Sequence, residues 1–342
     1  MEPKDELKLD IKDRKILAQL ELDSRQPLSA IGKKAGLSKA GVSSRIARIE
    51  KSGLVDRFNL ELNYAALGTT NYRYYFKFES TPPGFEQSLA EYLYTHGNVR
   101  WFCLMQGQWD LVVRFFAADD AELSDFENSF MEKFGKQVKS KAYGVNLFGT
   151  NHRCTQLTGN EGSYYRQTRS YKGGRIRLTP IDYCILFRLY ENSRASLREI
   201  AEKEGLSAET VAYHVKGLGK KQAFFACSVR FNRSRAGYMG AKVLLNLQYL
   251  TPEKREAFLA YCDATPILSH YLLLRGPWDA ELDCDVKSPA ELYAALRKIR
   301  NRFPDLIREF SVLTKIKEYE ANPFASLAGK RISKSEVPDF SV

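Results

Sequence analysis

The sequence predicts an α+β protein of two tandem modules, each with a three-helix head followed by a ferredoxin-like βαββαβ domain. Three observations support this prediction. One segment of the chain recurs after a constant offset. Apolar residues at the start of each copy recur with helical spacing, and residues further on alternate with the period of two that is typical of strands.

The repeat is the strongest of these signals. Residues 9–51 and 178–220 align without a gap at an offset of 169 positions, with fifteen identities in 43 positions. The same offset maps Gly107-Gln-Trp-Asp110 onto Gly276-Pro-Trp-Asp279. A period of this length indicates duplication of a whole module, because solenoid repeats are roughly 20–50 residues long.

Length, composition and charge limit the class of protein. A chain of 342 residues has room for two to three domains, and no apolar run approaches the roughly 18 residues of a membrane span. The charged N-terminus predicts no secretory signal. Six scattered cysteines without a CxxC pair predict a cytoplasmic location and no metal site. The net charge of +11 favours a polyanionic partner.

Each head is predicted to be a winged helix-turn-helix. In the first copy Pro27 begins a short second helix, Gly36 permits a left-handed turn, and Ser38 is a preferred N-cap for the third helix. Leu54–Phe58 then predicts the first strand of a wing. The buried stripe of the third helix is expected to be Val42, Ile46 and Ile49.

The residues after each head predict a βαββαβ domain. In the first copy Tyr72, Tyr74, Phe76 and Phe78 alternate with Arg73, Tyr75, Lys77 and Glu79, the pattern of a half-buried strand. Two helices cover one face of such a sheet, so the other face must pack against a partner. The fusion allows the two copies to pair within one chain as a pseudo-dimer, and pairing of copy one with copy one in two chains is the alternative.

These patterns divide the chain into six parts. They are a winged helix-turn-helix at 1–63, a βαββαβ domain at 64–148, a basic linker at 149–177, a second winged helix-turn-helix at 178–235, a second βαββαβ domain at 236–322, and a tail at 323–342. The linker is expected to be either a flexible tether or a segment that also contacts phosphates. Its basic residues are Arg153, Arg166, Arg169, Lys172, Arg175 and Arg177.

Several motifs resemble the Lrp/AsnC, or feast/famine, transcription regulators. They are Leu-Asp-Ile-Lys-Asp-Arg-Lys-Ile-Leu at 9–17, Gly-Leu-Ser at 36–38, the helix from Val42 to Glu50, and Gly-Gln-Trp-Asp at 107–110. The resemblance spans roughly 9–148 and 178–320. It implies a winged helix-turn-helix that binds double-stranded DNA, joined to a βαββαβ (RAM-type) domain that dimerises and often binds amino acids. The departure from the family is that two modules share one chain.

The resemblance implies a set of DNA-binding residues, because a helix-turn-helix lays its second helix in the major groove. In copy one Lys39 and Arg45 can donate to guanine, Ser43 and Ser44 can contact bases or phosphates, and Arg48 and Arg57 are expected at the phosphate backbone. Copy two is weaker, because Glu209 faces outward and Gly217 and Gly219 weaken its helix. Its candidates are Thr210, Tyr213, His214 and Lys216.

The effector site of the family implies a role for the two Gly-x-Trp-Asp turns. The glycines Gly107 and Gly276 let the backbone approach a ligand, and Asp110 and Asp279 can accept from an amino group. The alternative is a plain turn whose aspartate caps backbone N–H groups and whose tryptophan packs in an interface.

Two other classes of function remain open. The chain also resembles fused siroheme decarboxylases, tetrapyrrole enzymes built from two Lrp-like halves, whose pocket uses His and Arg on the strand equivalent to 269–275. That strand holds His270 and Arg275 here, and the aligned residues 100–106 of copy one lack the histidine. A structural or RNA-associated scaffold is the third class. No nucleophile–base arrangement, P-loop or HExxH motif is present, so neither a catalytic residue nor a cofactor is predicted.

Overall fold

The computed structural model describes residues 8–152, 154–159, 175–322 and 324. The first head begins with a capping box, in which the Asp10 side chain accepts from the N–H of Asp13 while Asp13 accepts from the N–H of Asp10. Gly36 ends the second helix at φ 67°, and the Ser38 side chain caps the third by accepting from the N–H of Gly41. The elements are α1 (Ile11–Leu22), α2 (Leu28–Ala35), α3 (Lys39–Lys51) and β1 (Val55–Leu62).

The first βαββαβ domain follows in the predicted order. It consists of β2 (Thr70–Phe78), α4 (Phe85–Thr95), β3 (Val99–Gln106), β4 (Leu111–Ala117), α5 (Asp120–Phe134) and β5 (Val138–Asn151). Phenylalanines of α5 pack on the sheet, with Phe130 against Phe76 at a ring separation of 4.2 Å and Phe126 against Phe115 at 4.3 Å. A single helical turn, α6 (Thr155–Thr158), comes next.

The second module repeats this plan. Its head contains α7 (Pro180–Glu191), α8 (Leu197–Glu204), α9 (Ala208–Lys220) and β6 (Phe224–Phe231). Its second part contains β7 (Met239–Leu247), α10 (Pro252–Asp263), β8 (Leu268–Arg275), β9 (Ala280–Val286), α11 (Pro289–Arg302) and β10 (Ile307–Glu320). The predicted fold class is therefore confirmed in both copies. No helix in the described ranges has the length and apolarity that crossing a membrane requires.

The two βαββαβ sheets join into one closed eight-stranded barrel. The strand order is β10-β3-β4-β2-β5-β8-β9-β7, so each copy supplies four consecutive strands and the seams are β5–β8 and β10–β3. The halves thus pair within one chain, as the intrachain pseudo-dimer requires. The prediction of a half-buried β2 was wrong: Arg73 and Tyr75 are as buried as Tyr74 and Phe76, because the second face of β2 lines the barrel.

Equivalent residues of the two copies meet on a pseudo-twofold axis. The hydroxyls of Ser24 and Ser193, 169 positions apart, share a hydrogen bond of 2.7 Å. Asn59 stands opposite Ser228, its equivalent in copy two, at the middle of the β1–β6 pair. The rings of Trp109 and Trp278, again equivalent, lie 6.0 Å apart. The duplication in the sequence is therefore a twofold symmetry in space.

The strand β1 does not form a wing within its own head. It pairs in antiparallel fashion with β6 of the other head, and this two-stranded ribbon is shared by both heads. Val229 and Phe231 of β6 pack in the core of head one, while Leu60 and Leu62 of β1 pack in the core of head two. The ribbon therefore couples the two heads to each other.

The segment between the copies is anchored at both of its ends. The strand β5 continues to Asn151, and Arg14 of α1 donates to the carbonyls of Gln156 and Leu157 at 3.1 and 3.0 Å. At the far end the N–H of Ile176 donates to the carbonyl of Ala66 at 2.9 Å. The described residues at both ends of the linker therefore have fixed contacts, and the choice between a flexible tether and a segment that contacts phosphates stays a prediction. Of the basic linker residues, Arg175 and Arg177 are exposed, and Arg153, Arg166, Arg169 and Lys172 lie outside the described residues.

The β5–β8 seam depends on the glycine of the second Gly-x-Trp-Asp turn. We expect Gly276→Ala to lower the free energy of unfolding by about 1–3 kcal/mol. An added Cβ would stand 2.7 Å from the Cα of Gly144 and 3.0 Å from the carbonyl oxygen of Tyr143. Gly217→Ala in α9 is the matched control, because nothing lies within 4 Å of its added Cβ and alanine favours a helix by about 1 kcal/mol. Denaturant unfolding that ranks the two variants in the opposite order would contradict this account.

Candidate DNA-binding faces and a buried polar cavity

The outward face of α3 is accessible as predicted. Val42, Ile46 and Ile49 are buried against the head, which leaves Lys39, Ser43 and Ser44 exposed in the first half of the helix. The N-terminal part of the helix is the part that a helix-turn-helix points at base edges.

Two arginines of α3 are held by carboxylates of α1. The Arg45 guanidinium lies 2.7 Å from Asp10 and 2.8 Å from Asp13, and Arg48 lies 2.6 Å from Asp13. The N–H of Asp13 and the Arg45 guanidinium lower the pKa of Asp10. Asp13 itself is 1% exposed. These ion pairs, here called the α1–α3 clamp, fix α3 on α1 and occupy Nη1 of Arg45.

The second head has an equivalent contact between α9 and α7, with a histidine in place of the arginine. His214 Nδ1 lies 2.8 Å from Asp182, at the positions equivalent to Arg45 and Asp13. Burial opposes ionisation of Asp182. The N–H of Thr179 and the ring of His214 hydrogen-bond to the Asp182 carboxylate and outweigh burial, so the pKa of Asp182 is lowered. The N–H of Asp182 in turn donates to the Thr179 hydroxyl. Of the other candidates in α9, Tyr213 is 76% exposed, Lys216 is exposed, and Thr210 is half-buried beside the capping Ser207.

Arg57 does not extend into solvent from a wing. Its guanidinium lies 2.6 Å from Glu320 of β10 and 4.9 Å from the centre of the Tyr190 ring. Burial opposes the charge, while Glu320 raises the pKa of Arg57. Since β1 pairs with β6, the residue faces the barrel instead of the expected phosphate backbone. The prediction of a wing contact by Arg57 is corrected accordingly.

The two Gly-x-Trp-Asp turns are built into the barrel. Asp110 accepts from the N–H of Phe78 at 2.9 Å and from Lys77 at 2.6 Å, and Asp279 accepts from the N–H of Leu247 at 2.7 Å. A Cβ on Gly107 would lie 2.9 Å from the carbonyl oxygen of Val312, on the other side of the β10–β3 seam. Gly276 has the equivalent place at the β5–β8 seam. The hydrogen bonds of Asp110 and Asp279 agree with the plain-turn alternative, in which the aspartates cap backbone N–H groups.

A cavity of about 570 Å³ lies between the β1–β6 ribbon and the barrel. Its wall contains six cations and seven carboxylates, so it holds no large excess of either charge. The cations are Arg73, Arg114, Arg230, Arg233, Lys315 and Lys317. The carboxylates are Glu21, Asp56, Glu61, Asp283, Asp285, Glu318 and Glu320.

Most of these carboxylates are already bound by cations. Arg230 contacts Glu318 at 2.7 Å and also Glu320, Arg233 contacts Asp285, and Lys315 contacts Asp283 at 3.1 Å. Burial opposes ionisation of Glu320, but the positive charges of Arg57 and Arg230 outweigh burial and lower the pKa of Glu320 to about 2. The ribbon is thus tied to β10 and β9 of the barrel by ion pairs that hold the heads on it.

The residues of the enzyme alternative lie at separate places. His270 lines the cavity, with Nδ1 3.0 Å from the carbonyl oxygen of Tyr271. His152, which is not one of the residues of that alternative, also lines the cavity and lies 3.4 Å from Asp263. Burial lowers the pKa of His152. Arg275, at the far end of β8, is exposed and outside the cavity wall. No three His, Cys, Asp or Glu side chains gather as a metal site within the described ranges.

The cavity itself was not predicted from the sequence. Its signal was present in the charged residues of otherwise apolar strands, such as Arg73 between Tyr72 and Tyr74 and Asp283 between Leu282 and Cys284. Those residues lie far apart in the chain, and their meeting depends on how the barrel closes.

Comparison with known domains matches both heads. The family model described as the AsnC-type helix-turn-helix domain matches residues 9–50, and the winged helix-turn-helix DNA-binding model matches residues 178–221. Both matches fall on the segments that form α1–α3 and α7–α9.

The relatives in sequence are archaeal regulators. An uncharacterised HTH-type transcriptional regulator of Pyrococcus abyssi is 27% identical over 117 residues, 34% of this chain and 77% of that protein. The regulator FL11 of Pyrococcus furiosus is 29% identical over 118 residues, with the same shares. LrpA of Pyrococcus horikoshii is 28% identical over 128 residues, 37% of this chain and 87% of that protein.

In fold the whole chain resembles a solved enzyme. The siroheme decarboxylase NirDL matches with a TM-score of 0.60 over 91% of this chain and 92% of its own, at 14% identity. Its complex with an iron-uroporphyrin III analogue matches with a TM-score of 0.63 over 93% and 96%. At this identity the likeness establishes the doubled architecture and no more.

Each head thus matches a helix-turn-helix model, and the chain is similar to HTH-type transcriptional regulators over about a third of its length. The chain therefore contains an AsnC-type helix-turn-helix domain and a second winged helix-turn-helix domain, each followed by a ferredoxin-like domain, and it resembles the Lrp/AsnC regulators.

Proposed function

We propose that this protein is a sequence-specific DNA-binding transcription regulator of the cytoplasm. The observation that carries the proposal is the exposed first half of α3, with Lys39, Ser43 and Ser44, in the head that matches the AsnC-type domain. Lysine can donate to the guanine edge in the major groove, and serine can contact bases or phosphates. The net charge of +11 supports a polyanionic partner.

The second reader has a different surface. Its exposed side chains include Glu209, Tyr213 and Lys216, where α3 has Ala40, Ser44 and Ala47. Glu209 repels phosphates, so we assign the stronger half-site to α3. Because the shared ribbon holds both heads on one barrel, one chain presents two unlike readers at once.

A siroheme decarboxylase-like enzyme is the second candidate. The likeness in fold to NirDL over nearly the whole chain, together with a 570 Å³ cavity that His270 lines, favours it. The charges of the cavity argue against it. A tetrapyrrole with several carboxylates needs several cations that are free to bind them, whereas Arg230, Arg233 and Lys315 of the wall already bind carboxylates of the protein. The regulator is therefore the better supported function.

If α3 reads bases, the variant Lys39→Ala should discriminate less well between a selected site and random DNA. We expect binding to a selected site to weaken by about 1–3 kcal/mol if the lysine reads a base, with little change on random DNA. Arg255→Ala removes an exposed cation on α10 of the second βαββαβ domain; it is the control and should leave both affinities unchanged. Equal losses of Lys39→Ala on both DNAs in titrations at fixed salt would reassign Lys39 to the phosphates.

The α1–α3 clamp predicts that Arg45→Ala affects folding as well as binding. Removal of this arginine leaves the buried Asp13 with Arg48 as its remaining ion-pair partner, so the free energy of unfolding should fall by about 1 kcal/mol. Lys39→Ala should keep wild-type stability, because Lys39 is exposed. A wild-type unfolding curve for Arg45→Ala would show that the clamp contributes nothing to stability.

The intrachain pairing predicts an asymmetric operator. Operator symmetry mirrors protein symmetry, and the two readers differ at Lys39/Ala208, Ser44/Tyr213 and Arg45/His214. Selection of bound sequences should yield one strong and one weak half-site, occupied by a single chain when the mass of the complex is measured. A palindrome bound by two chains would instead favour copy-one pairing between chains.

The enzyme alternative makes its own prediction about colour. A tetrapyrrole enzyme incubated with an iron-uroporphyrin III analogue should retain a stable Soret band after gel filtration. We expect no retained band. Retention that His270→Ala abolishes would favour the enzyme over the regulator.

A further inference from the structure

A buried and a half-buried arginine face each other on the inner wall of the barrel. Arg73 of β2 stands directly opposite Arg114 of β4 in the strand register, and both line the cavity. Arg73 is 3% exposed and Arg114 is half-buried. Like charges placed directly opposite each other on neighbouring strands destabilise a sheet.

The donors of this pair are largely unused. Among the described residues, Nε and Nη1 of Arg73 and Nε and Nη2 of Arg114 have no hydrogen-bond partner. Glu281 lies 3.9 Å from Arg73 Nε, which is beyond hydrogen-bond range. The flat faces of the guanidinium groups lie near aromatic rings, Arg73 5.4 Å from the centre of Trp101 and Arg114 5.1 Å from that of Tyr64. The arginines are held in place while their N–H groups stay free.

The second copy provides an internal comparison. The positions equivalent to Arg73 and Arg114 are Lys242 and Asp283, which also stand opposite each other, on β7 and β9. They form an ion pair of 3.0 Å. The same pair of positions is therefore neutralised in copy two and doubly positive in copy one.

The carboxylates around the arginine pair are engaged elsewhere. Glu281, which lies 3.9 Å from Arg73, is bound by Lys242 at 2.7 Å. Asp283 is bound by Lys242 and Lys315, and Glu320 is bound by Arg57 and Arg230. Burial lowers the pKa of Arg73 to about 10, since the repulsion of Arg114 adds to it and the attraction of Glu281 only partly offsets it. The guanidinium still keeps its charge at neutral pH, and a buried charge without hydrogen-bond partners is costly.

We propose that Arg73 and Arg114 form a binding site for a small organic or inorganic anion, one that offers carboxylate or phosphate oxygens to the free N–H groups. Guanidinium groups bind both kinds of oxyanion in bidentate fashion. The cavity volume of about 570 Å³ lies within the range of small-molecule pockets. The site is on β2 and β4, apart from both Gly-x-Trp-Asp turns and from α3 and α9, and it does not depend on the proposed binding of DNA.

The test compares anions and variants in the full-length protein without DNA. Wild type, Arg114→Asp, Arg114→Gln and the exposed control Arg255→Asp are titrated with sodium phosphate and with sodium malonate, against sodium chloride at equal ionic strength. The readouts are the melting temperature and the fluorescence of tryptophan, since Trp101 lies beside Arg73.

The expected result is a saturable rise in the melting temperature of wild type and Arg255→Asp with phosphate, malonate or both, and a matching change in fluorescence. A response to one anion alone identifies the preferred oxyanion. Arg114→Asp recreates the charge pattern of copy two, so it should melt higher than wild type without any anion and lose the response. Arg114→Gln should lose the response as well, which decides the question if the aspartate variant does not fold.

Two results would overturn the proposal. One is a wild-type response to phosphate and malonate that equals the response to chloride. The other is an anion response that survives unchanged in Arg114→Gln.

Discussion

The structure depends on one constraint: each four-stranded sheet has a second face that cannot remain in water. Helices α4 and α5 cover one face in copy one, and α10 and α11 cover one in copy two. The faces left over carry Tyr75, Trp109, Leu272 and Trp278, which form a shared core inside the barrel. Fusion of the modules holds the two faces at high effective concentration. The seams β5–β8 and β10–β3 therefore close within one chain, and the pseudo-twofold axis follows from that closure.

The two copies have diverged in sequence, so the barrel joins two unlike halves. On the inner wall copy one supplies arginines, at positions 73 and 114, while copy two supplies Glu281, Asp283 and Glu320. Two first halves paired with each other would bring arginines together without these carboxylates. For the arginines of copy one, charge therefore favours pairing with copy two, in addition to the covalent link between the halves.

The β1–β6 ribbon connects the barrel to the two heads and restricts where the heads lie. Because β1 and β6 pair with each other and pack in both head cores, the distance between α3 and α9 is set by the ribbon and not by a flexible joint. Ion pairs from Arg57 and Arg230 to Glu320 attach the ribbon to β10. The cavity lies at this attachment, so a molecule bound there contacts the element that positions both readers.

The sequence by itself determined what local patterns encode: the duplication, the order of helices and strands, the cap at Ser38, the buried stripe of α3, and the exposed Lys39, Ser43 and Ser44. Only the tertiary structure decided which residues meet across the copies. A period-two pattern cannot tell a solvent face from the lining of a barrel, so β2 was expected to be half-buried. An outward arginine on a helix looks the same whether it is free or bound by a carboxylate 32 positions away, as Arg45 is by Asp13. Strand partners and charge partners of this kind depend on closure of the whole chain, and no local spacing records it.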